Sequence, residues 1–248
     1  MRTLLFTGPG GAGTTTLAAS AAVHAARAGR RTILLTRQGS AVPGLAGVPG
    51  LEVAAIDPQA AVERLWAGVA GALDAVLPQL TLPPAASVLP LPGTAELALF
   101  AELANAEADL VVVDAGPWEV AAALVALPAT LRWWLDRLLP PGVRALGAVR
   151  AAAVAAGSAR RGPVDAALSA VPVLEGLLAR DRLADASTTA VCLVALPRPS
   201  SVPALRSATT TLALAGLGAA TVLVRVPPTG CADEWWTRRA AEQDTTVG

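Results

Sequence analysis

A glycine-rich run at residues 8–16 (GPGGAGTTT) carries the clearest chemical signal in the chain. A phosphate-binding loop reads G-x-x-x-x-G-K-[S/T], and the run matches it at Gly8, Gly13 and Thr15, with Thr14 in place of the lysine. Glycines let backbone N–H groups converge on an anion, and the start of a helix adds a favourable dipole. The run therefore predicts a site for nucleotide phosphates, with a tight turn that only packs a helix on a strand as the alternative. The residues predicted to bind nucleotide here are Gly8, Gly10, Gly11, Gly13, Thr14, Thr15 and Thr16.

A second candidate is the carboxylate of Asp114, which ends the apolar run DLVVVD. Apolar runs alternate with helical patterns along the chain, which is typical of a parallel sheet covered on both faces. Ligands bind such sheets at the carboxyl ends of the strands, and both Asp114 and the glycine run follow such ends. The predicted strands are Arg2–Thr7, Arg31–Thr36, Leu51–Ile56, Asp109–Asp114, Ala190–Leu196 and Ala220–Val226.

Helices are expected between these strands, from apolar residues that recur at three- and four-residue spacing. They are predicted at Thr14–Ala28, Ala60–Leu77, Glu96–Ala106, Glu119–Leu139 (interrupted near Pro128), Val143–Arg161 (a helix or a mobile segment), Pro163–Ala184 and Val202–Leu214. We therefore expect an α/β fold with a mostly parallel sheet of about seven strands, helices on both faces and a helical insertion.

The composition narrows the classes of function. The chain has 248 residues, of which 54% are hydrophobic, and its net charge is zero, so sequence-independent nucleic-acid binding has no obvious electrostatic source. All 19 basic residues are arginine, which excludes a Schiff-base lysine and any lysine ammonium on a phosphate. The uncharged stretches 75–95 and 207–224 are broken by proline and by glycine respectively, and the first apolar run is too short for a signal peptide. We expect a soluble, cytoplasmic protein with no transmembrane segment and no nucleic-acid partner.

Other side chains with chemical potential favour structural roles. His24 lies within a predicted helix, away in sequence from any acidic group that would orient it as a general base. Cys192 and Cys231 are far apart and do not predict a metal cluster, and Cys192 is expected to be a buried structural thiol. The adjacent pairs Trp133–Trp134 and Trp235–Trp236 are expected to pack in the core, with an apolar contact for a partner as the alternative.

Several further segments, together with the glycine run, resemble the ArsA-type ATPases, the family of arsenite-pump ATPases and tail-anchored-protein targeting factors. The family loop reads GKGGVGKTT where this chain reads GPGGAGTTT. Residues 51–58 (LEVAAIDP) resemble the family's I-D-P stretch, and residues 91–103 (LPGTAELALFAEL) resemble its P-G-x-x-E-x-x-x-F-x-E-L segment. Residues 114–117 (DAGP), followed by the tryptophan-bearing region 131–138, resemble the region that begins D-T-A-P. In order and spacing these segments span residues 1 to about 240.

The resemblance implies a P-loop NTPase-like fold that binds ATP or ADP with magnesium. It places Thr15 and Asp114 on the magnesium side of the site and Arg225 beside the adenine-reading position. It also implies a dimer with nucleotide at its interface and, in some members, hydrophobic protein cargo held by the helices after the second switch. It implies one domain over residues 1–240, with helical insertions at about 60–90 and 119–184 and a polar tail at 241–248.

The chain departs from the family at the positions that carry the chemistry. Pro9 replaces the lysine that reaches across the dimer, and Thr14 replaces the lysine on the β- and γ-phosphates. The remaining replacements are Gln38 for the aspartate that positions water, Glu119-Val120 for the G-H of the second switch, and Val224 for the asparagine that reads adenine. Each such group contributes about 10²–10³ to the rate of phosphoryl transfer. A chain that lacks several of them is not expected to turn over ATP alone, so no catalytic residue is assigned.

The resemblance and its gaps leave three hypotheses. The first is a non-catalytic or weakly nucleotide-binding subunit, paired with its own copy or with a competent paralogue. The second is an active ATPase that uses Thr15, Asp114 and a substituted cation such as Arg37 or a partner's arginine. The third is a stand-alone carrier of hydrophobic cargo that works without ATP. An arsenite site would need clustered thiolates, which the two cysteines do not predict.

Overall fold

The computed structural model describes residues 1–37, 42–74, 82–158 and 163–224, with 234–235, 237–238 and 240–241. The described strands are β1 (Arg2–Gly8), β2 (Thr32–Thr36), β3 (Leu51–Ala55), β4 (Leu110–Pro117), β5 (Thr189–Ala195) and β6 (Ala219–Val224). The described helices are α1 (Thr14–Arg27), α2 (Pro58–Asp74), α3 (Thr94–Asn105), α4 (Trp118–Leu138), α5 (Pro141–Ala155), α6 (Pro163–Ala179) and α7 (Ser201–Leu214), with a short 3-10 helix at Ala85–Ser87. The α/β class is confirmed.

The six strands form one sheet in the order β3-β2-β4-β1-β5-β6, and every neighbouring pair is parallel. Each predicted apolar run became one of these strands, but the expected total of about seven is wrong for the part of the chain described, which has six. The central strands are buried on both faces, and Leu5, Val112 and Leu193 are fully buried. A parallel sheet needs such continuous apolar strands because helices cover both of its faces.

The chain divides into two compact units. Unit 1 contains residues 1–56, 106–125 and 182–248, and it holds the whole sheet with α1 and α7. Unit 2 contains residues 57–105 and 126–181, and its described regular elements are all helices. Helix α4 begins in unit 1 and ends in unit 2. The single domain expected over residues 1–240 and the polar tail stay predictions.

Helix α4 continues through Pro128, so the predicted interruption there is wrong. A proline inside a helix removes one backbone hydrogen bond, which favours a break. Packing on both sides of the proline opposes a break in the helix. Leu124 is fully buried before the proline, and Leu135 is buried after it. The segment expected to be a helix or a mobile segment over residues 143–161 is helical from Pro141 to Ala155. No single helix among the described residues has the length and apolarity needed to cross a membrane.

The tryptophan pair on α4 lies at the surface of unit 2. Trp133 and Trp134 are 53% and 51% exposed, so the expectation that this pair packs in the core is wrong. The two rings meet edge to face, with their centroids 4.9 Å apart.

Asp57 caps the first helix of unit 2. Its Oδ1 accepts hydrogen bonds from the backbone N–H groups of Gln59 at 2.9 Å and Ala60 at 3.1 Å. These N–H groups have no partner within the helix, so a capping oxygen replaces the water they would lose. The I-D-P stretch of the sequence therefore supplies the start of α2.

We expect Asp57→Ala to lower the free energy of unfolding by about 1 kcal/mol, because two backbone donors lose their acceptor. Urea denaturation followed by circular dichroism measures this loss. Asp57→Asn is the matched control, since asparagine caps helices about as well as aspartate. Equal losses for the two variants would show that the cap contributes little and that the charge of Asp57 matters more.

Candidate functional site

The glycine run forms the connection between the central strand β1 and helix α1. Gly10, Gly11 and Gly13 adopt positive φ angles of 72°, 65° and 85°. Side chains are strained in this left-handed region, so the three positions require glycine for the loop to keep this path. The predicted role of glycine in shaping the loop therefore has a direct geometric basis at these positions.

Helix α1 begins at Thr14 without a side-chain cap. Gly13 occupies the cap position, and no side-chain cap hydrogen bond forms there among the described residues. The first turn of α1 contains no acidic residue. An uncapped, glycine-preceded helix start of this kind directs backbone N–H groups and a partial positive charge towards an anion. The loop thus has the shape and the polarity of a phosphate cradle.

The three threonines of the run differ in exposure. Thr14 is only 7% exposed, Thr15 is half-buried and Thr16 is exposed. Thr14 is also the first helical residue, where the pattern of the loop has its lysine. The buried lysine position therefore holds a short neutral side chain. Thr15, whose hydroxyl is predicted to bind magnesium, is the next residue in the same turn.

Gly8 is glycine for a different reason. A Cβ atom at this position would lie 2.0 Å from the carbonyl oxygen of Val194 on the neighbouring strand β5. The close approach of the two backbones leaves no space for a methyl group. Gly8 therefore contributes to packing of the sheet as well as to the spacing of the loop.

Asp114 lies in β4, next to the strand from which the loop leaves. It pairs in register with Phe6 of β1 on one side and with Thr36 of β2 on the other, and it is 3% exposed. Its carboxylate accepts hydrogen bonds from the hydroxyl of Thr36 at 3.4 Å and from the backbone N–H of Gly116 at 3.3 Å. A hydroxyl and an amide therefore orient a buried carboxylate at the carboxyl edge of the sheet.

Two threonines that the sequence reading did not single out shape this edge. The hydroxyl of Thr36 donates to Asp114, and the hydroxyl of Thr7 donates to the carbonyl oxygen of Gly116 at 2.9 Å. Both threonines lie near the C-terminal ends of mainly apolar strands. A polar residue at such a strand end is the sequence signal that could have identified them. The register between β1 and β4 shifts between Phe6 and Thr7, at the level of Asp114 and Gly116.

The remaining candidates divide between described and undescribed residues. Arg37 directly follows β2 and is half-buried, and Glu119 lies in the first turn of α4. Gln38 and Arg225 lie outside the described residues, so the predicted contact of Arg225 with nucleotide stays a prediction. Cys231 and Trp236 lie outside them as well.

Cys192 is buried in β5, and burial raises the pKa of its thiol. A buried thiol with a raised pKa is a poor nucleophile, which supports the predicted structural role. Among the described residues no three His, Cys, Asp or Glu side chains come together as a metal cluster. Magnesium is compatible with that, because it commonly binds one or two carboxylates together with substrate phosphates and water. A buried carboxylate at Asp114 and the Thr15 hydroxyl are ligands of the kind that it takes.

A glycine loop between a central parallel strand and a helix, beside a strand that ends in a buried carboxylate, defines the P-loop NTPase-like class of α/β proteins. The chain belongs to the anion-transporting ATPase family, also called ArsA ATPases, because the sequence model of that family matches residues 43–245. The resemblance drawn from the sequence is thereby confirmed. The matched range begins after the glycine run, so membership of the family does not itself depend on that run.

Individual proteins are also similar to this chain. An uncharacterized protein of Streptomyces coelicolor is 39% identical over 281 aligned residues, which cover 100% of this chain and 68% of that protein. Two arsenical pump-driving ATPases are 28% identical (Escherichia coli) and 26% identical (Acidiphilium multivorum) over 165 residues. Each of these two alignments covers 58% of this chain and 28% of the pump-driving ATPase. The chain therefore corresponds to a minor part of the arsenical pump-driving proteins and to about two thirds of the Streptomyces protein.

Proposed function

We propose that this ArsA-family chain has a degenerate nucleotide site and acts as a non-catalytic or weakly nucleotide-binding subunit of a dimeric ATPase. One observation carries the proposal: the position of the phosphate-binding lysine is Thr14, which is 7% exposed at the start of α1, in a chain that contains no lysine. The loop therefore offers backbone N–H groups to an anion but no cation of its own.

The remaining groups support binding better than turnover. Backbone N–H groups around Gly10, Gly11 and Gly13 would contact phosphate oxygens, and the start of α1 would favour their negative charge. Thr15 and Asp114 would hold magnesium, which supplies charge neutralisation on the phosphates when it is bound. Phosphoryl transfer also needs a cation on the developing charge and a group that orients water, and the resemblance places Thr14 and Gln38 at those positions.

The expected loss of ATP turnover follows from what each missing group contributes to the rate. One well-placed donor in such a site is worth about 3–4 kcal/mol, or 10²–10³ in rate. Losing the lysine and the water-orienting carboxylate together lowers turnover by more than either loss, although the two effects do not simply add. We therefore propose that a partner, either a second copy or a competent paralogue, carries out hydrolysis, and that the pair works in the cytoplasm.

The test is equilibrium binding of ATP and ADP to the purified chain, with and without magnesium, together with phosphate release. We expect weak binding that magnesium strengthens, and turnover at least about 10³-fold below that of a competent family member. Thr15→Ala and Asp114→Asn should remove the magnesium dependence. Turnover comparable to that of an ordinary family member would contradict the proposal and support an active enzyme with a substituted cation such as Arg37.

Mixing the chain with a competent paralogue distinguishes the hypothesis of a non-catalytic subunit from that of an active enzyme. A non-catalytic subunit leaves hydrolysis to the partner's own site, so Thr15→Ala and Asp114→Asn in this chain should change the rate of the mixture by less than about twofold. An active enzyme completed by a partner's arginine predicts the opposite, because the nucleotide would then be bound by this chain. A rate that falls at least about tenfold with either variant would overturn the subunit proposal.

A further inference from the structure

Asp114 carries a buried carboxylate whose described partners are all neutral. It is 3% exposed, and it forms no ion pair with any of the residues that the structure describes. Its partners are a hydroxyl and a backbone amide. Buried charged groups in proteins are generally paired with an opposite charge or bound to a metal ion. The surroundings of Asp114 therefore suit a cation that binds from outside the chain.

The two oxygen atoms of this carboxylate have different partners. Oδ1 accepts from the backbone N–H of Gly116 at 3.3 Å, and Oδ2 accepts from the hydroxyl of Thr36 at 3.4 Å. Gly116 lies two residues further along the same strand, so its bond moves with the local backbone. Thr36 lies on the neighbouring strand β2 and ties the carboxylate to the rest of the sheet. Each carboxylate oxygen has about two acceptor sites, so these bonds leave room for a cation.

Thr36 is itself held firmly at the end of β2. It is 4% exposed and pairs in register with Asp114. Its carbonyl oxygen accepts from the backbone N–H of Ile56 at 2.7 Å, which fixes the backbone at this end of the strand. Threonine is branched at Cβ, and this branching restricts rotation about its Cα–Cβ bond. The hydroxyl is therefore a donor with a fixed position relative to the carboxylate.

Thr32, at the opposite end of β2, shows what is particular to Thr36. It is also buried, at 2% exposure, but its hydroxyl donates to the carbonyl oxygen of Arg30 at 3.0 Å. It pairs in register with Leu110, at the start of β4. One strand thus contains two buried threonines, and the one at the carboxyl edge of the sheet bonds to a carboxylate.

We propose that Thr36 is a positioning residue for magnesium, because its hydroxyl holds the carboxylate of Asp114 in the orientation that binds the ion. The inference rests on the proposed function, in which Thr15 and Asp114 hold magnesium on a bound nucleotide. Magnesium demands near-ideal octahedral geometry, so the direction of each protein ligand matters. Groups that hydrogen-bond to a metal ligand typically change metal affinity by about 10–100-fold. Thr36 therefore sets how strongly magnesium tightens the binding of nucleotide.

Titration of ATP into the full chain, with and without magnesium, tests the proposal. We expect magnesium to tighten ATP binding at least about tenfold in the unaltered chain and less than about twofold in Thr36→Val. Valine keeps the shape and the branched Cβ of threonine but has no hydroxyl to donate. Binding without magnesium should stay within about twofold, because the glycine run is unchanged. Thr36→Ser keeps the hydroxyl and should keep the gain from magnesium.

Thr32→Val is the matched control, since it removes a buried hydroxyl from the same strand but away from Asp114. It should respond to magnesium as the unaltered chain does. The bond from Thr36 to Asp114 is long at 3.4 Å, so its loss should change the unfolding temperature little. Circular dichroism with thermal unfolding checks the fold of each variant, and Thr36→Ala is a second variant without the hydroxyl. Manganese(II) with ADP, followed by electron paramagnetic resonance, should show about tenfold weaker binding of the metal in Thr36→Val.

An unchanged gain from magnesium in Thr36→Val overturns the proposal. A loss in Thr36→Ser equal to that in Thr36→Val also overturns it, because the hydroxyl would not be the group that matters. An equal loss in Thr32→Val does the same, since it would reflect a general effect on β2. Turnover at the level of an ordinary family member would contradict the proposed function but not this inference, because an active site would use the same carboxylate. If the unaltered chain binds no ATP with or without magnesium, both are overturned.

Discussion

Gly8→Ala is expected to lower the free energy of unfolding by about 3 kcal/mol, at the upper end of what overpacking usually costs. The new Cβ atom would lie 2.0 Å from the carbonyl oxygen of Val194 and 3.1 Å from its carbonyl carbon. Both atoms belong to the backbone of β5, so no side-chain rotation relieves the clash. The strand pair β1–β5 lies inside the sheet and must separate or shift. Urea denaturation followed by circular dichroism gives the loss.

Gly10→Ala is the control for this prediction. Nothing lies within 4 Å of a Cβ atom at residue 10, but the backbone there has a φ angle of +72°. Its cost should be about 1 kcal/mol, from the left-handed conformation alone. Equal losses for the two variants would show that backbone strain in the loop, and not contact with β5, makes glycine necessary at residue 8.

Most of the fold follows from the sequence because its signals are local. Each strand is a short apolar run, and the ends of each predicted run lie within three residues of the ends of a strand in the sheet. Helix α1 begins at Thr14 as expected, since four glycines of the run precede it and an alanine-rich pattern follows. Alternating strands and helices are typical of a parallel sheet, because each helix connects two parallel strands.

The features that sequence reading missed depend on contacts between distant residues. Pro128 predicts a break in α4, but burial of Leu124 and Leu135 holds the helix together. The exposure of Trp133 and Trp134 depends on which face of α4 is packed, and adjacent residues in one helix do not reveal that. Hydrophobicity alone favours the core for such side chains, and here it gave the wrong expectation.

The candidate site also combines a part that local sequence predicts with a part that depends on contacts between distant residues. The conformation of the loop was predictable, because glycine is the residue that takes positive φ angles at low cost. The hydrogen bond from Thr36 to Asp114 joins residues 78 positions apart, and the bond from Thr7 to Gly116 joins residues 109 positions apart. Both bonds follow from the strand order, in which β4 lies between β2 and β1, and no local pattern indicates that order.

Thr14→Lys is expected to tighten the binding of ATP with magnesium at least tenfold, which corresponds to about 1.4 kcal/mol. Residue 14 is the first residue of α1 and occupies the lysine position of the phosphate-loop pattern. The chain has no other lysine, so the variant introduces the ammonium that the loop lacks. A flexible four-carbon stem lets the charge leave the buried position and reach the phosphates. Isothermal titration of ATP into both proteins measures the gain.

Thr14→Met is the matched control, because methionine has a long unbranched stem without a charge and should give no gain. Hydrolysis should stay low in Thr14→Lys, since the resemblance leaves Gln38 where an aspartate would orient water. The two readouts therefore separate loss of binding from loss of turnover. An equal gain with Thr14→Met would mean that filling space at residue 14 shapes the loop.

Adding Asp114→Asn to Thr14→Lys tests whether the carboxylate holds magnesium. If it does, the double variant should keep the tighter binding of ATP in the absence of magnesium but lose the further gain that magnesium gives. Asparagine retains the size of the side chain. Its oxygen can still accept from the backbone N–H of Gly116, and its NH2 group can donate to the hydroxyl oxygen of Thr36, so the sheet edge should stay in place. An unchanged magnesium response would assign Asp114 to the structure of that edge, and the glycine cradle would then bind phosphate without a protein ligand for the metal from β4.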